Sequence, residues 1–373
     1  MKKAPIIWLN VFVFTFTFLV AAIGVPLYGY YVGFGIEHLV ATILTLGFAG
    51  MSITVGYHRL WAHKTFEAHP ILEFILALGG AFALQNSALH WSSDHRIHHK
   101  FVDQNDKDPY SAKKGFWFSH IGWMLRDYQG ENYGDYSNCR DLQKNKIVMW
   151  QHKHYLALSM IMNWGIPIAL GIVFNDIWGM LLTAGFLRLV LSHHFTFFIN
   201  SLAHIWGSQP YTDKNTAKDN GVLAFFTYGE GYHNYHHIFE SDYRNGIRWY
   251  QFDPSKWFIK AASFVGLTKN LRTVPEDKIQ AALWKMEKSR VERKLISLPN
   301  KAELLERIEA EYDILLEKLK ATANAQKRYL LAKHYKAKKI TASELLELRQ
   351  KYELLKAQLI EQHQQWQMTL KVA

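Results

Sequence analysis

The chain has 373 residues, with 43 Lys and Arg against 32 Asp and Glu, a formal net charge of +11. Such a surplus suits nucleic acid, an anionic lipid surface or an anionic substrate, but no zinc-finger spacing or RNA-binding signature supports the first, so no nucleic-acid partner is expected. The single Cys139 excludes an intrachain disulfide, and the 13 Trp, 19 Tyr and 23 Phe suit wide membrane interfaces.

In chain order, Lys2 and Lys3 precede an uncharged run from Ala4 to Ile36, long enough for one crossing with tilt or a kink at Pro26. It is too long for a cleaved signal peptide, and a second apolar run from Leu39 to Tyr57 follows at once. Further apolar runs cover Tyr155 to Phe174 and Ile177 to Ile199. Four spans are therefore expected, at about 7–34, 39–57, 155–174 and 177–199. Arg188 in the fourth must face protein, water or a headgroup, because charge in hydrocarbon is costly.

Histidines carry the chemistry. His58-Arg-Leu-Trp-Ala-His63, His95-Arg-Ile-His98-His99 and His233-Asn-Tyr-His236-His237 form three clusters, with Asn200-Ser-Leu-Ala-His204 between the second and third. On an α-helix, the i, i+3, i+4 spacing of the second and third clusters brings three imidazoles to one face, and Asn200 and His204 are likewise one turn apart. His58 and His63 are five apart, which is not one α-helical face. His58 is therefore expected to end a helix, with His63 returning from the turn beyond.

A dense set of neutral imidazoles has few physical uses other than metal binding. Nine nitrogens exceed what one ion holds, so the count argues for two metals. No cysteine and no Glu-x-x-His joins them, which disfavours zinc ribbons and carboxylate-bridged bundle sites. Imidazole suits Fe, Zn, Cu and Ni alike, so ligand type leaves the metal open.

The segment Ile71 to Leu89 is apolar enough to cross, but one crossing there would put His58 and His63 opposite His95, His98 and His99. A helix along or dipping into the interface fits better. Lys and Arg crowd residues 58–153 and are missing from the turns at Glu37-His38 and Asn175-Asp176, so both termini and all clusters are expected on the cytoplasmic side.

From about Thr273 the composition changes. Leu305, Ile308, Tyr312, Leu315 and Leu319, then Leu345, Leu348, Tyr352, Leu355 and Leu359, follow heptad spacing. Asn300 with Glu303 and Thr341 with Glu344 read as capping boxes. The expected organisation is a membrane domain over 1–272 and a soluble charged helical extension over 273–373, either an antiparallel hairpin or a coiled coil that pairs with a partner or a second copy.

HRLWAH, HRIHH, NSLAH and GEGYHNYHH together resemble the histidine set of membrane-bound fatty acyl-CoA desaturases of the stearoyl-CoA (Δ9) type, over residues 5 to 260. The resemblance implies an all-α membrane fold of four transmembrane helices with a cytoplasmic helical cap. It implies a di-iron centre that uses O2 and two electrons to make a cis double bond in an acyl chain. His58, His63, His95, His98, His99, His204, His233, His236 and His237 carry over as iron ligands, and Asn200 as a ligand through water. Asp94, Glu230 and Asp108 stand near the clusters and are candidate partners for the outer ring nitrogens.

By resemblance, Gln85, Trp91 and Thr196 match residues around the bend of an acyl tunnel, with Phe197 where animal relatives carry Trp. Leu46 lies roughly 18 Å from His58 at about 1.5 Å per residue, a candidate tunnel floor for a chain of about 16–18 carbons. Ser93 replaces an Arg that animal members direct at the CoA phosphates, so the thioester carrier is open; Lys107, Lys113 and Lys114 offer charge instead. The sequence has no His-Pro-Gly-Gly of a fused cytochrome b5, so a separate donor (ferredoxin, cytochrome b5 or similar) is expected, as in a bacterial inner-membrane form. Rival readings are a di-iron hydroxylase, an acyl-lipid desaturase, and a non-enzymatic metal transporter or store. The near-absence of carboxylates from the spans argues against the last.

Overall fold

A computed structural model describes residues 4–130, 133–295, 301–334 and 340–372. Four helices are long and apolar enough to cross a membrane: Trp8–Tyr31, Ile36–Ala62, Lys146–Val173 and Ile177–Ile205. The third begins nine residues before the expected 155 and the fourth runs past 199. The apolar window marks the hydrocarbon and not the helix end, and polar turns such as Lys146–Lys153 continue the same helix. Pro26 and Pro167 each follow a five-residue π-turn, Val20–Gly24 and Ile161–Gly165. The wider turn accommodates the missing N–H and the ring of proline without breaking the span.

His38 Nε2 lies 3.0 Å from Asp176 Oδ2, and Tyr28 donates to Asp176 Oδ1 at 2.6 Å. The turns after the first and third spans are thereby tied at one end of the bundle.

Pro70–Ala83 and Ala88–Phe101 are bent by 80° across a short break. Leu84 ends the first in the left-handed region at φ 53°. Its last carbonyls are satisfied by side chains from the spans. Asn163 donates to Ala81, Arg188 donates to Phe82, and His193 Nε2 lies 3.1 Å from the carbonyls of both Ala83 and Leu84. The buried Arg188 thus faces protein, its guanidinium 3.6 Å over the Phe82 ring. A cation at a helix C-terminus also offsets the helix dipole. Ser87 opens the next helix by accepting from the His90 N–H.

The main core packs the second span against the bent pair, with Ile53, Tyr57, Trp61, Leu76, Phe82 and Leu89 among its buried residues. Glu67–Ala68 pairs antiparallel with Thr268–Lys269, closing the segment after His63 onto residues near 270.

By internal packing the chain separates into two compact units, Met1–Gln209 with Lys214–Thr273, and Pro210–Asp213 with Val274–Ala373. The second holds helices Glu276–Leu295, Lys301–His334 and Ala342–Val372. Tyr329 stacks on Tyr352 and Tyr312 contacts Trp366, so the two long helices run antiparallel. Ile308, Tyr312, Leu315 and Trp366 fill its core. Thr341 and Glu344 form the expected reciprocal cap; Asn300 lies outside the described residues.

Candidate metal centre

The first histidine pair corrects the sequence reading. Residues Ser52–Ala62 form a π-helix and His63 caps it, its N–H bonded to the His58 carbonyl. His58 does not end the helix. A π-helix closes its bonds between i and i+5, so residues five apart stack on one face, and the two imidazoles lie 4.9 Å apart. The second cluster rides on Ala88–Phe101 and the third on the short helix His233–Ile238, as spaced. Ser201 interrupts the helix between Asn200 and His204, so this pair is not joined by a regular turn; Asn200 closes Arg188–Asn200 half-buried.

All nine pattern histidines meet. His58, His63, His95, His99 and His236 form one group, and His98, His204, His233 and His237 a second; within each, the donor atoms lie within 4.8 Å of one another. The Nε2 atoms converge. Separations are 2.8 Å for His63–His95, 3.0 Å for His58–His236, His236–His99 and His237–His233, and 3.2 Å for His233–His204. A metal holding two nitrogens at about 2.1 Å and a right angle sets them about 3.0 Å apart.

The outer nitrogens show why a cation belongs between the rings. Nδ1 of His98 lies 2.8 Å from Asp108, Nδ1 of His58 2.8 Å from Glu230, and Nδ1 of His99 3.1 Å from Glu240. Nδ1 of His204 lies 2.8 Å from the Thr216 hydroxyl, whose own proton goes to Asp103. Asp108 and Thr216 accept hydrogen bonds, so Nδ1 of His98 and of His204 carries the proton and Nε2 turns a lone pair inward, while Glu230 and Glu240 stand at ion-pair distance from Nδ1 of His58 and His99. His236 touches the Nε2 of both His58 and His99 and has one proton at most to give there. At least one contact then has no proton directed along it, which a bound cation resolves. Burial, reinforced by neighbouring imidazoles, holds His63, His233, His236 and His237 well below the ordinary histidine range, keeping them neutral donors.

Among the expected carboxylates, Asp108 and Glu230 reach cluster histidines. Asp94 does not: it pairs with His90 one turn earlier and accepts from Gln129. Adjacency to His95 misleads here, because neighbours on a helix point about 100° apart. Burial pushes the Glu230 carboxyl up, but His58 and Arg59 outweigh this and hold it low. Arg59 donates twice to Glu230 Oε1, and Asn245 donates to Oε2. Arg59, Asn245, Thr216, Asp103, Glu240 and Tyr110, whose hydroxyl lies 3.3 Å from His95 Nδ1, were missed. Only Arg59, inside HRLWAH, and Glu240, three residues past His237, carried a local signal.

Of the expected tunnel residues, Gln85 donates to Thr196 at 2.9 Å, and Trp91 stacks on His95 at 4.8 Å. Phe197 packs elsewhere, among Phe14, His120 and His193. Leu46 is half-buried and its carbonyl accepts from Tyr228, whose ring fills the space a side chain at Gly50 would need. A small cavity lies deeper toward the imidazoles, lined by Gly50, Thr54, Thr196, Ile199 and Tyr228.

Four helices long and apolar enough to cross a membrane, with nine imidazoles gathered beside them into two groups that could each hold a metal ion, define a membrane protein with a histidine-rich metal centre. Residues 34–263 match the fatty acid desaturase family, and the chain belongs to it. It is similar to a probable acyl-CoA desaturase of Schizosaccharomyces pombe, 46% identical over 66% of this chain and 51% of the relative. Acyl-CoA desaturase 1 of Saccharomyces cerevisiae is 38% identical over 77% and 56%, and the acyl-CoA Delta-9 desaturase of Acheta domesticus 37% over 74% and 78%. The chain spans about half the length of the two yeast relatives.

Proposed function

We propose that this chain is a Δ9-type acyl-CoA desaturase that converts a saturated long-chain acyl group into its cis-monounsaturated product. The carrying observation is the convergence of nine imidazole nitrogens, one from each histidine, into two groups. Family membership and the activities named for the relatives point the same way.

An unactivated CH2–CH2 unit has no acidic proton, so no side-chain base removes its hydrogens. Two iron ions, with O2, two electrons from a separate donor protein and two protons, would supply that oxidation, releasing two waters. This chain's residues bind and orient. Asp108 and Thr216 fix two rings by their Nδ1 protons, Glu230 and Glu240 stand against two more, Asn200 would hold a metal-bound water, and Trp91 with the Gln85–Thr196 pair walls the acyl chain. Tyr228, against Gly50, closes it farther out. Both termini lie on the cytoplasmic side with the metals, and the antiparallel hairpin of the second unit is a surface for self-association.

The test is metal analysis with O2 uptake on purified protein. Two irons per chain, with uptake that requires both reduced donor and a saturated acyl-CoA, supports the reading. Stable binding of another metal with no acyl-dependent uptake returns the assignment to a metal store.

A further inference from the structure

Outside the spans, one surface of the first unit presents a run of exposed large aromatics. The helix Pro254–Phe264 buries Ser255, Ile259 and Ala262 on one face. Its other face and the flanking segment present Trp257, Phe264 and Val265, with Trp249 and Tyr250 just before; Trp249 is 88% and Phe264 77% exposed. Phe225, on helix Gly221–Phe226, extends the surface, linked through Phe252 to Trp257. Folded proteins rarely leave so many large aromatics in water without a partner.

Depth identifies the partner. Thr54 and Ser255 share a hydrogen bond of 2.7 Å, and Phe226 packs on Phe195 at 5.3 Å. Thr54 lies 18 residues along the second span from Ile36, and Phe195 lies 18 residues along the fourth from Ile177. Both spans start at the end tied by His38 and Asp176. At about 1.5 Å per residue each anchor is roughly 27 Å from that end, close to the roughly 30 Å thickness of the hydrocarbon core. Two independent contacts therefore hold these helices at one level, the boundary between acyl chains and headgroups. Tryptophan and tyrosine favour that boundary. The helix carries the exposed Lys260 and no acidic residue, which suits lipid phosphates.

We propose that Phe225, Trp249, Tyr250, Trp257, Phe264 and Val265 form an interfacial surface seated in the lipid on the metal-centre side. The surface is rigidly joined to the centre. Asp253 caps its helix and accepts from Arg59, and Ser255 donates to the Tyr228 carbonyl just before Glu230. Seating it fixes the height of the imidazoles over the acyl chains.

Spin labels introduced by Trp249→Cys and Phe264→Cys in the full chain, with the buried Cys139 retained, report depth in phosphatidylcholine–phosphatidylglycerol vesicles. Collisions with O2, which concentrates in lipid, are compared with those of a water-soluble nickel chelate. The control is Lys144→Cys, exposed and two residues before the third span opens well beyond the hydrocarbon. The expected result is an O2-to-nickel ratio several-fold higher at 249 and 264 than at 144. Tyr250→Cys supplies a further site should either variant fail to fold. Ratios equal to that at 144, or labels shielded from both reagents as beneath a protein partner, overturn the proposal. Neither result depends on catalysis, so the proposal and the proposed activity fail separately.

Discussion

His58 and His63 stand five residues apart, and their rings meet at 4.9 Å because the helix between them has π pitch. Both then face His95 and His236, the first through His236 Nε2 and the second through His95 Nε2, which makes the first cluster part of a shared centre.

His236 sits between His58 and His99 and contacts both nitrogens. His236→Ala should remove metal from the five-imidazole group and abolish turnover while membrane insertion persists. His154→Ala, exposed on the third span, should keep full metal and most activity. Iron content per chain separates the two, and full iron in His236→Ala would remove it from the ligand set.

The outer partners divide by group. Glu230→Gln should weaken the five-imidazole group through His58, and Asp108→Asn the four-imidazole group through His98. Such changes typically cost about 10- to 100-fold in metal affinity. Competitive chelator titration should resolve one weakened and one retained metal in each variant. Equal loss of both metals in either variant would mean general unfolding.

Arg188 is fully buried and donates to Phe82, Asn163 and Ala184, with no carboxylate beside it among the described residues. Arg188→Leu leaves the Phe82 carbonyl without its donor, at a cost of about 1–3 kcal/mol per unsatisfied group. Thermal unfolding in detergent should shift down by several degrees, with Arg188→Lys intermediate. An unchanged midpoint would show that water replaces the guanidinium.

The chain-length limit should lie nearer the metals than Leu46. Tyr228 fills the space beside Gly50, so Tyr228→Ala should favour longer acyl chains, whereas Gly50→Ala forces a methyl against that ring. Overpacking of this kind costs about 1–3 kcal/mol. Competition between saturated acyl-CoAs of different length measures both. Altered preference in Leu46→Ala alone would restore Leu46 as the floor.

The four spans and the clusters were legible because hydropathy and imidazole spacing are local signals. The His58–His63 relation was not, since an α-helical period was assumed where the chain adopts a π-helix. Asp94 was misplaced for a related reason: proximity in sequence does not set direction around a helix. Thr216 and Asn245 were invisible because their contacts depend on how the loops beyond residue 205 return to the centre. The end of the bent pair, capped by Asn163, Arg188 and His193, likewise comes from spans about 80 to 110 residues away in sequence.

The most direct test of the central claim is the product. Iron-loaded protein in lipid, given O2, a reduced donor and defined saturated acyl-CoAs, should yield a cis double bond at the Δ9 position, located by mass spectrometry. A hydroxylated acyl chain, or double bonds only in phospholipid-bound chains, would contradict the account.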